Sequence, residues 1–271
     1  MCFDVEAGYK RKIKDGIRTG GPAKDINALI DNYNERFEPI FPMPHVHHHV
    51  SAFAHPEIGI VHLEAGKLVM EPMVWGLIPK WTKDKESSRK IWNMTGNARS
   101  ETMFDKPSFK ASARNNRGVV VLDSFYEHHH FSGNAYPFNV KRKNGGALVV
   151  AVLWSEWTDK EVGEVVRSFS IVTTEGNEMM SVIHNNPKKK EPRMPVILED
   201  AAINVWLGTE KTDDMHLSLL PLCKPLPKDS LQAHAVRPLR GKRALGNVPE
   251  AIEAFEYPEL GFDTELNEVL H

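Results

Sequence analysis

The second residue of the chain, Cys2, becomes a double nucleophile if the initiator methionine is removed. A small second residue permits that removal, so the sequence predicts a mature chain that begins at Cys2. In model peptides the α-amine has a pKa of about 7.7 to 8.0 and the thiol one of about 8.5, and both therefore have reactive fractions near neutral pH. The amine can condense with an aldehyde to an imine, and the thiol can then close on the imine carbon to form a thiazolidine. The alternative interpretation is an incidental thiol at a position that accepts any small residue.

Two other side chains could transfer protons beside such a nucleophile. Glu127 follows an apolar run and the aromatic pair Phe125 and Tyr126, which predicts a carboxylate at a strand end beside aromatic rings. Those surroundings raise a carboxyl pKa towards neutrality, as general acid or base catalysis requires. His184 ends a second apolar stretch, and imidazole titrates in the same pH range. Taken singly, the two patterns fit an exposed glutamate and a structural histidine at least as well.

Positive charge is concentrated in two stretches, although the formal net charge of the chain is −2. Residues 75–117 contain ten Lys and Arg against four Asp and Glu, and residues 184–195 contain four against one. Such asymmetry would let one face attract a phosphate backbone while the molecule stays nearly neutral. The first stretch begins with WGLIPKW, in which Trp75, Lys80 and Trp81 would form a stacking surface for unpaired bases if they are exposed. The alternatives are a solvated charged face and an aromatic pair that caps the core.

Two histidine clusters raise the question of a metal site. They comprise His45, His47, His48 and His49, and then His128, His129 and His130. Zinc accepts imidazole nitrogens, but no paired cysteine or acidic ligand stands at motif spacing. The sequence therefore predicts polar segments here, with neither a metal ion nor another cofactor.

Composition is that of an ordinary globular protein, with 271 residues of which 41% are hydrophobic and 26% charged. No apolar run approaches the length of about 20 residues that a membrane span needs, and the first residues lack the apolar region of a signal peptide. Two cysteines, Cys2 and Cys223, are too few for a disulfide framework. We therefore expect a cytoplasmic protein with no membrane partner.

Hydrophobic patterning predicts an α+β chain with mainly antiparallel strands and few helices. Six prolines beyond residue 209 break the tail into short pieces, which we expect to wrap the core of a single domain over residues 1–271. The predicted strands are 58–63 and 68–75 as one hairpin, 136–141 and 147–154 as a second, and 118–123, 169–174 and 194–198; the predicted helices are 24–37 and 200–207.

In their order along the chain, these motifs resemble those of the SOS-response-associated peptidase (SRAP) family, also described as abasic-site processing proteins. The resemblance covers roughly residues 1–208. It rests on Met1-Cys2, WGLIPKW, NARSET from Asn97 to Thr102, KPSF at 106–109, FYE at 125–127, and His184 followed by RMP at 193–195.

The resemblance implies an α+β domain with a barrel-like antiparallel β core flanked by helices. It also implies a positively charged groove that holds single-stranded DNA containing abasic sites. After removal of Met1, Cys2 would link covalently to the ring-opened aldehyde of an abasic site as a thiazolidine and shield the site during the DNA damage response. The expected protein is a monomer in the cytoplasm that associates with the nucleoid when it is bound to DNA.

Roles for individual residues follow from the matching motifs. Asn97 would position Cys2 or the sugar, and Arg99 and Arg193 would hold phosphates. Glu127 and His184 would transfer protons during sugar-ring opening and imine chemistry, which needs an acid and a base on opposite sides of the sugar carbon.

The amino terminus departs from the family pattern. Many members begin Met-Cys-Gly-Arg, whereas Phe3 and Asp4 follow the cysteine here. The usual phosphate-binding arginine is therefore missing, and we expect Lys10, Arg11 or Lys12 to supply a basic contact.

Two further departures concern the proton-transfer residues. A base-stacking tryptophan commonly follows the glutamate, but here Glu127 is followed by His128, which would stack less strongly on DNA. One residue usually separates the histidine from RMP, but residues 185–192 intervene after His184. The lysines of that insertion would suit a loop that faces DNA.

Two other functions remain open on the sequence alone. The same residues could form a thiol peptidase or autopeptidase, a hydrolase in which Cys2 attacks a peptide, His184 activates the thiol and Glu127 orients the imidazole. The chain could also be a non-covalent binding module for single-stranded DNA that retains the fold without the chemistry. An abasic oligonucleotide distinguishes the three, because only the first function gives a Cys2-dependent covalent species.

Overall fold

The computed structural model of the protein describes residues 2–14, 22–37, 46–188, 191–208 and 215–270. The strands are β1 (Asp4–Ala7), β2 (His47–Ser51), β3 (Glu57–Glu64), β4 (Lys67–Trp75), β5 (Asn97–Arg99), β6 (Arg117–Leu122), β7 (Ser124–Phe131), β8 (Asn134–Arg142), β9 (Leu148–Thr158), β10 (Val165–Glu175), β11 (Arg193–Pro195) and β12 (Leu231–Ala235). The α-helices are α1 (Ala23–Phe37), α2 (Lys85–Trp92), α3 (Lys110–Asn115), α4 (Glu178–Ile183), α5 (Asp200–Leu207), α6 (Met215–Leu219) and α7 (Thr264–Leu270).

Five strands close into a barrel in the order β10-β4-β3-β6-β9, because β9 pairs again with β10. All the pairs are antiparallel except β10 with β4. Strand β6 reads RGVVVL and is buried from Gly118 to Leu122, as expected for a β-branched strand with protein on both faces. The predicted α+β class with a barrel-like, mainly antiparallel core is confirmed.

The carboxyl-terminal half of β10 leaves the barrel and pairs with two short strands. Ile171 and Thr173 pair with Asn97 and Arg99 of β5, and Glu175 pairs with Arg193 of β11. Strand β10 therefore brings the NARSET and RMP motifs together, although they are separated by about ninety residues of sequence.

A second sheet has the order β12-β8-β7-β1-β2 and carries the amino terminus in its interior. Strand β1 pairs with β7 through Asp4 opposite Tyr126 and Val5 opposite Phe125. Asp123, between β6 and β7, accepts hydrogen bonds from the backbone N–H groups of Gly8 and Arg11, both at 2.8 Å. The chain that follows β1 is therefore fixed to the junction of the two sheets.

The first predicted hairpin is confirmed, and the second is wrong. Strands β3 and β4 pair across Ala65 and Gly66, which both have positive φ, as a tight two-residue turn requires. Strands β8 and β9 exist but lie in different sheets. Strand β8 pairs instead with β7 across Ser132 and Gly133, which have the same two-residue turn geometry. The two-residue turn between β7 and β8 is shorter than the connection between β8 and β9, which favours the pairing of β8 with β7.

Both predicted helices are confirmed, and α5 ends at Gly208 with the expected positive φ of 78°. The expectation that Glu127 ends a strand is wrong, because β7 continues through the histidines to Phe131. Residues beyond 214 supply strand β12 to the second sheet and place Leu260 and Leu266 in the main hydrophobic core.

Candidate active site

The side chain of Cys2 is fully buried, two residues before Asp4, which begins β1 and pairs with Tyr126 of β7. Its thiol lies 3.9 Å from the carbonyl oxygen of Asp4. Burial raises the pKa of the Cys2 thiol well above its usual value, and the negative charge of Glu127 raises it further. The thiol is therefore held protonated, and a carboxylate is the charged side chain that most influences it.

Glu127 and His184 form the polar centre of this region. The Nδ1 atom of His184 lies 3.3 Å from Oε2 of Glu127. Both residues are buried, with exposed fractions of 7%. The structure thus brings into contact the two residues that the sequence selected for proton transfer, and the charge of Glu127 also acts on the thiol of Cys2.

Strand β7 fixes the segment that carries His184. Helix α4 is capped by Asn177, whose side chain accepts from the N–H of Met180, and His184 is the residue directly after its last turn. Asn185 then makes two hydrogen bonds with the backbone of His130, at 2.6 and 3.0 Å. Since Glu127 lies on the same strand, its distance from His184 is set by backbone contacts as well as by the side chains.

His129 provides a second contact between β7 and the segment that carries His184. Sequence reasoning considered it only as a member of a histidine cluster. Its Nδ1 lies 2.9 Å from the carbonyl oxygen of Val182, and its Nε2 lies 2.8 Å from Oδ2 of Asp263. Asp263 also accepts from the N–H of Leu266 in the first turn of α7. The tail therefore supports the strand that carries Glu127 through a buried histidine.

An open cavity of about 280 Å³ lies against the Glu127–His184 pair. Burial lowers the pKa of His128, which therefore contributes a neutral ring to this cavity near neutral pH. The residues around the cavity are Phe3, Asp4, Tyr126, Glu127, His128, His130, Ala135, His184, Asn186 and Arg240.

Asp4 is a buried carboxylate with partners for both oxygens. Its Oδ1 lies 3.1 Å from Nε2 of His49, and its Oδ2 accepts from Arg240 at 2.7 Å. Burial opposes ionisation of Asp4, but the hydrogen bond with His49 and the charge of Arg240 outweigh it, so the pKa of Asp4 lies below its usual value. Asp4 thus brings a cation from the tail to the cavity.

Asn97 lies on β5 with an exposed fraction of 9%. Neither Oδ1 nor Nδ2 of its side chain has a hydrogen-bond partner among the described residues. The preceding Gly96 approaches the amino-terminal segment so closely that a Cβ there would lie 3.7 Å from the ring of Phe3. An unpaired buried amide is costly, and such a group beside the chain start is suited to bind a ligand.

Arg193 is buried and forms a bidentate pair with Glu101, at 2.6 and 2.8 Å. It also donates to the carbonyl oxygen of Thr173 at 2.8 Å. Burial opposes ionisation of Glu101, but its hydrogen bonds with Arg193 outweigh this, and the pKa of Glu101 is lowered. Both terminal nitrogens of Arg193 are engaged, so the predicted phosphate contact would require Glu101 to move.

Arg99 has a half-exposed side chain that lies 3.7 Å from the carboxylate of Glu191. It lines a cavity of about 580 Å³ together with Glu101 and Arg193. The arginine of NARSET is therefore the more accessible of the two cations predicted to hold phosphates.

A family model described as SOS response associated peptidase (SRAP) matches residues 22–242. The chain belongs to the SRAP family. Strand β10 joins its NARSET and RMP motifs, and the contacts between β7 and residues 182–185 hold its glutamate and histidine together.

Two curated relatives of this SRAP chain are named as abasic site processing proteins. YoqW of Bacillus subtilis is 35% identical over 181 residues, which span 66% of this chain and 74% of the relative. HMCES of Xenopus tropicalis is 29% identical over 212 residues, which span 70% of this chain and 59% of the relative. A solved structure from Bacteroides thetaiotaomicron shares the fold, with a TM-score of 0.72, 24% identity and coverage of 94% of this chain and all of that one.

The WGLIPKW motif of this SRAP chain divides between core and surface. Trp75 is fully buried, and its indole N–H donates to the carbonyl oxygen of Gly96 at 2.8 Å. The prediction that Trp75 stacks on DNA bases is therefore wrong, because β4 carries this ring into the core. Trp81 is 56% exposed, and it lines with exposed Lys80 a separate cavity of about 380 Å³.

The basic residues expected to replace the missing arginine have other local contacts. The ammonium group of Lys10 lies 3.4 Å from Nδ1 of His48, that of Lys12 pairs with Asp31, and neither these two residues nor Arg11 line the cavity. The cation that enters the cavity is Arg240, which sequence reasoning missed. No local signal marked it, since 236 residues separate it from Asp4.

Three histidines of the two clusters have separate partners. His47 contacts the carbonyl oxygen of Glu57, His49 contacts Asp4, and His129 contacts Asp263. Over the described ranges, no three His, Cys, Asp or Glu side chains converge as metal ligands would. His45, Met1 and two lysines of the predicted DNA-facing insertion lie outside the described residues.

A helix that spans a membrane must be long and apolar, and the described ranges contain seven α-helices. None of them is both long and apolar enough to cross a bilayer.

Proposed function

We propose that this chain binds single-stranded DNA and forms a covalent thiazolidine with abasic sites through Cys2 after Met1 has been removed. The observation that carries the proposal is the contact between Glu127 and His184 beside a cavity open to the surface, with the thiol of Cys2 near enough for the charge of Glu127 to raise its pKa. The names of the two curated relatives support the same substrate. The adduct would shield the damaged site from cleavage during the DNA damage response.

The first step opens the sugar ring of the abasic site. One member of the Glu127–His184 pair removes the proton from the hemiacetal hydroxyl, and the other donates a proton to the ring oxygen, which releases the aldehyde. The amine of Cys2 adds to the aldehyde carbon, and protonation of the resulting hydroxyl expels water to leave an imine. Because its two members are in contact, the buried pair can also pass a proton from one to the other between these transfers.

Ring closure then uses the thiol. The Sγ atom of Cys2 bonds to the imine carbon, and its proton passes by way of Glu127 to the nitrogen. The product is a neutral thiazolidine, and one water is lost over the whole reaction. A thiol whose pKa is raised stays protonated until this step, and Glu127 is the charged group best placed to take the proton.

DNA would approach through the cationic groups that remain accessible. Arg99 is half-exposed, and Lys80 and Trp81 offer a charge and an exposed ring at a separate cavity. His128 would contact the nucleotide inside the reactive cavity. The monomeric state and the cytoplasmic, nucleoid-associated location remain predictions.

The thiol peptidase alternative is less well supported. A peptidase cysteine reacts as a thiolate, and such cysteines have a lowered pKa. Burial and Glu127 raise the pKa of Cys2 instead. Thiazolidine formation begins at the amine and tolerates a protonated thiol, so the site suits that reaction better.

The test is a reaction with an end-labelled single-stranded oligonucleotide whose abasic site is made by removing a uracil. We expect a species that survives denaturing electrophoresis, with the mass of DNA plus chain without Met1, minus one water. C2A should abolish it, and C223S should retain it because Cys223 is the other buried cysteine of the described chain. Peptide cleavage without DNA would favour the peptidase, and salt-sensitive binding without a covalent band would favour the non-covalent module.

A further inference from the structure

Arg240 is held at the edge of the reactive cavity by three contacts. Its Nη2 donates to Oδ2 of Asp4 at 2.7 Å and lies 3.3 Å from Oγ of Ser51. Its guanidinium carbon lies 5.7 Å from the centre of the Phe53 ring, within range of a cation–π contact. The side chain is thus oriented, although 55% of it is exposed.

The remaining donors of Arg240 are available to a ligand. Its Nε and Nη1 make no hydrogen bond to any residue that the structure describes. The guanidinium group lines the same cavity as Glu127 and His184. An oriented arginine with unused donors is the residue type best suited to bind a phosphate.

We infer that Arg240 binds a DNA phosphate next to the abasic sugar. This rests on the proposed function, in which the sugar reacts at Glu127 and His184. Each sugar of a DNA strand carries phosphates on its 5′ and 3′ sides, so a sugar in this cavity brings an anion towards the cavity wall. Two side chains of that wall can carry a positive charge and contact a carboxylate, Arg240 with Asp4 and His184 with Glu127. Of these two, His184 is buried and Arg240 is exposed to an incoming phosphate.

Asp4 acts as the positioning residue for this contact. Its carboxylate is 5% exposed, whereas the Arg240 side chain is mostly in solvent. His49 occupies the other carboxylate oxygen, which leaves Asp4 little freedom to turn. Neutralisation of Asp4 by Arg240 is the competing explanation of the pair, and a double variant separates the two.

The test measures binding of a single-stranded oligonucleotide that carries a tetrahydrofuran analogue of the abasic site. This analogue has no aldehyde, so binding is separated from cross-linking. R240Q should weaken binding about tenfold at low salt, as the loss of one charge-assisted contact predicts. It should also reduce the slope of log K against log salt by about 0.7, the value for one phosphate of a single strand.

R237Q is the matched control, because Arg237 is also exposed and also stacks on a phenylalanine, Phe255, at 4.6 Å. It does not line the cavity and should keep the native salt slope. D4N/R240Q should bind as weakly as R240Q. Recovery of native affinity in that double variant would mean that Arg240 only neutralises Asp4, and would overturn the inference.

The outcomes also separate the inference from the proposed function. If the native chain binds the analogue but forms no adduct with a true abasic site, the cross-linking proposal fails while the salt slope still decides the role of Arg240. If the native chain forms the adduct and R240Q keeps the native slope, the inference fails alone. Absence of any DNA binding by the native chain would overturn both.

Discussion

The imidazole of His184 and the carboxylate of Glu127 lie 3.3 Å apart although the two residues come from separate elements. Glu127 belongs to β7, and His184 follows α4. The hydrogen bonds between His130 and Asn185 connect the same two elements immediately beside the pair. The contact between acid and base is therefore held by hydrogen bonds between the two elements as well as by the two side chains.

E127Q and H184Q should each slow cross-link formation by about a hundredfold, at the lower end of what a positioned acid or base contributes. The double variant should be little slower than the worse single variant, because the residues act as a unit. Time courses of adduct formation at saturating DNA measure this. E164Q changes an exposed carboxylate away from the cavity and serves as control; equal rates for E127Q and the native chain would refute the assigned role.

N97L should separate stability from function. Removing an unpaired buried amide should raise the free energy of unfolding by about 1 kcal/mol, since the desolvation cost of that group is no longer incurred. Cross-linking should fall, because the proposed contact with Cys2 or the sugar is lost. Urea unfolding and adduct time courses provide the two measurements. A large loss of stability would show that the amide has a structural role instead.

The pair between Arg193 and Glu101 should be structural. A double-mutant cycle with R193M and E101Q should give a coupling energy of about 1 to 2 kcal/mol, reduced from that of a fully buried pair because Glu101 is half-exposed. The exposed pair of Lys90 and Glu86 is the control and should give about 0.3 to 0.5 kcal/mol. Similar coupling energies in the two cycles would contradict this structural role and would favour Arg193 as a phosphate ligand.

Substitution of the two tryptophans of WGLIPKW should affect different properties, DNA affinity for Trp81 and stability for Trp75. W81A should weaken binding of single-stranded DNA by about 1 to 3 kcal/mol, the range for one base stacked on an aromatic ring. W75F should lower the free energy of unfolding by about 2 kcal/mol, through lost packing and the lost bond to Gly96, without changing the affinity of the folded chain. Fluorescence anisotropy and urea titration test both, and a binding defect in folded W75F would contradict its placement in the core.

Asp4 should make the chain sensitive to acid. Its pKa is lower in the folded chain than in the unfolded one, so its stabilising contribution is complete above the unfolded pKa, near 4, and is lost as the pH falls through the folded pKa. The free energy of unfolding should therefore fall less steeply for D4N than for the native chain below about pH 4. D105N, at an exposed aspartate, should keep the native slope.

Local features of the sequence predicted the parts of the fold that depend on neighbours along the chain. The β3–β4 hairpin followed from a two-residue turn, and the end of α5 followed from Gly208. The pairing of β8 was not predictable in this way, because β8 pairs with β7 and β12 while the next strand, β9, pairs with β6 and β10 in the other sheet. Glu127 was placed at a strand end because it follows an apolar run and an aromatic pair, yet the three histidines after it continue the strand.

The reactive residues could be predicted from the sequence, but the residues that hold them in place could not. Cys2, Glu127 and His184 each stand in a short motif. Arg240 and Asp263 come from a tail without such motifs and reach the site across 236 and 134 residues of sequence. Contacts between residues so far apart in sequence depend on the closed fold, and no local spacing in the sequence predicts them.

Strand β1 lies between β7 and β2, so the first residues of the chain are bonded on both sides within the second sheet. A DNA strand joined at Cys2 would therefore be attached to an interior strand. Tension along the DNA would load two rows of hydrogen bonds in shear before the junction could be drawn out. A protease that removes the adduct would have to start at another part of the chain.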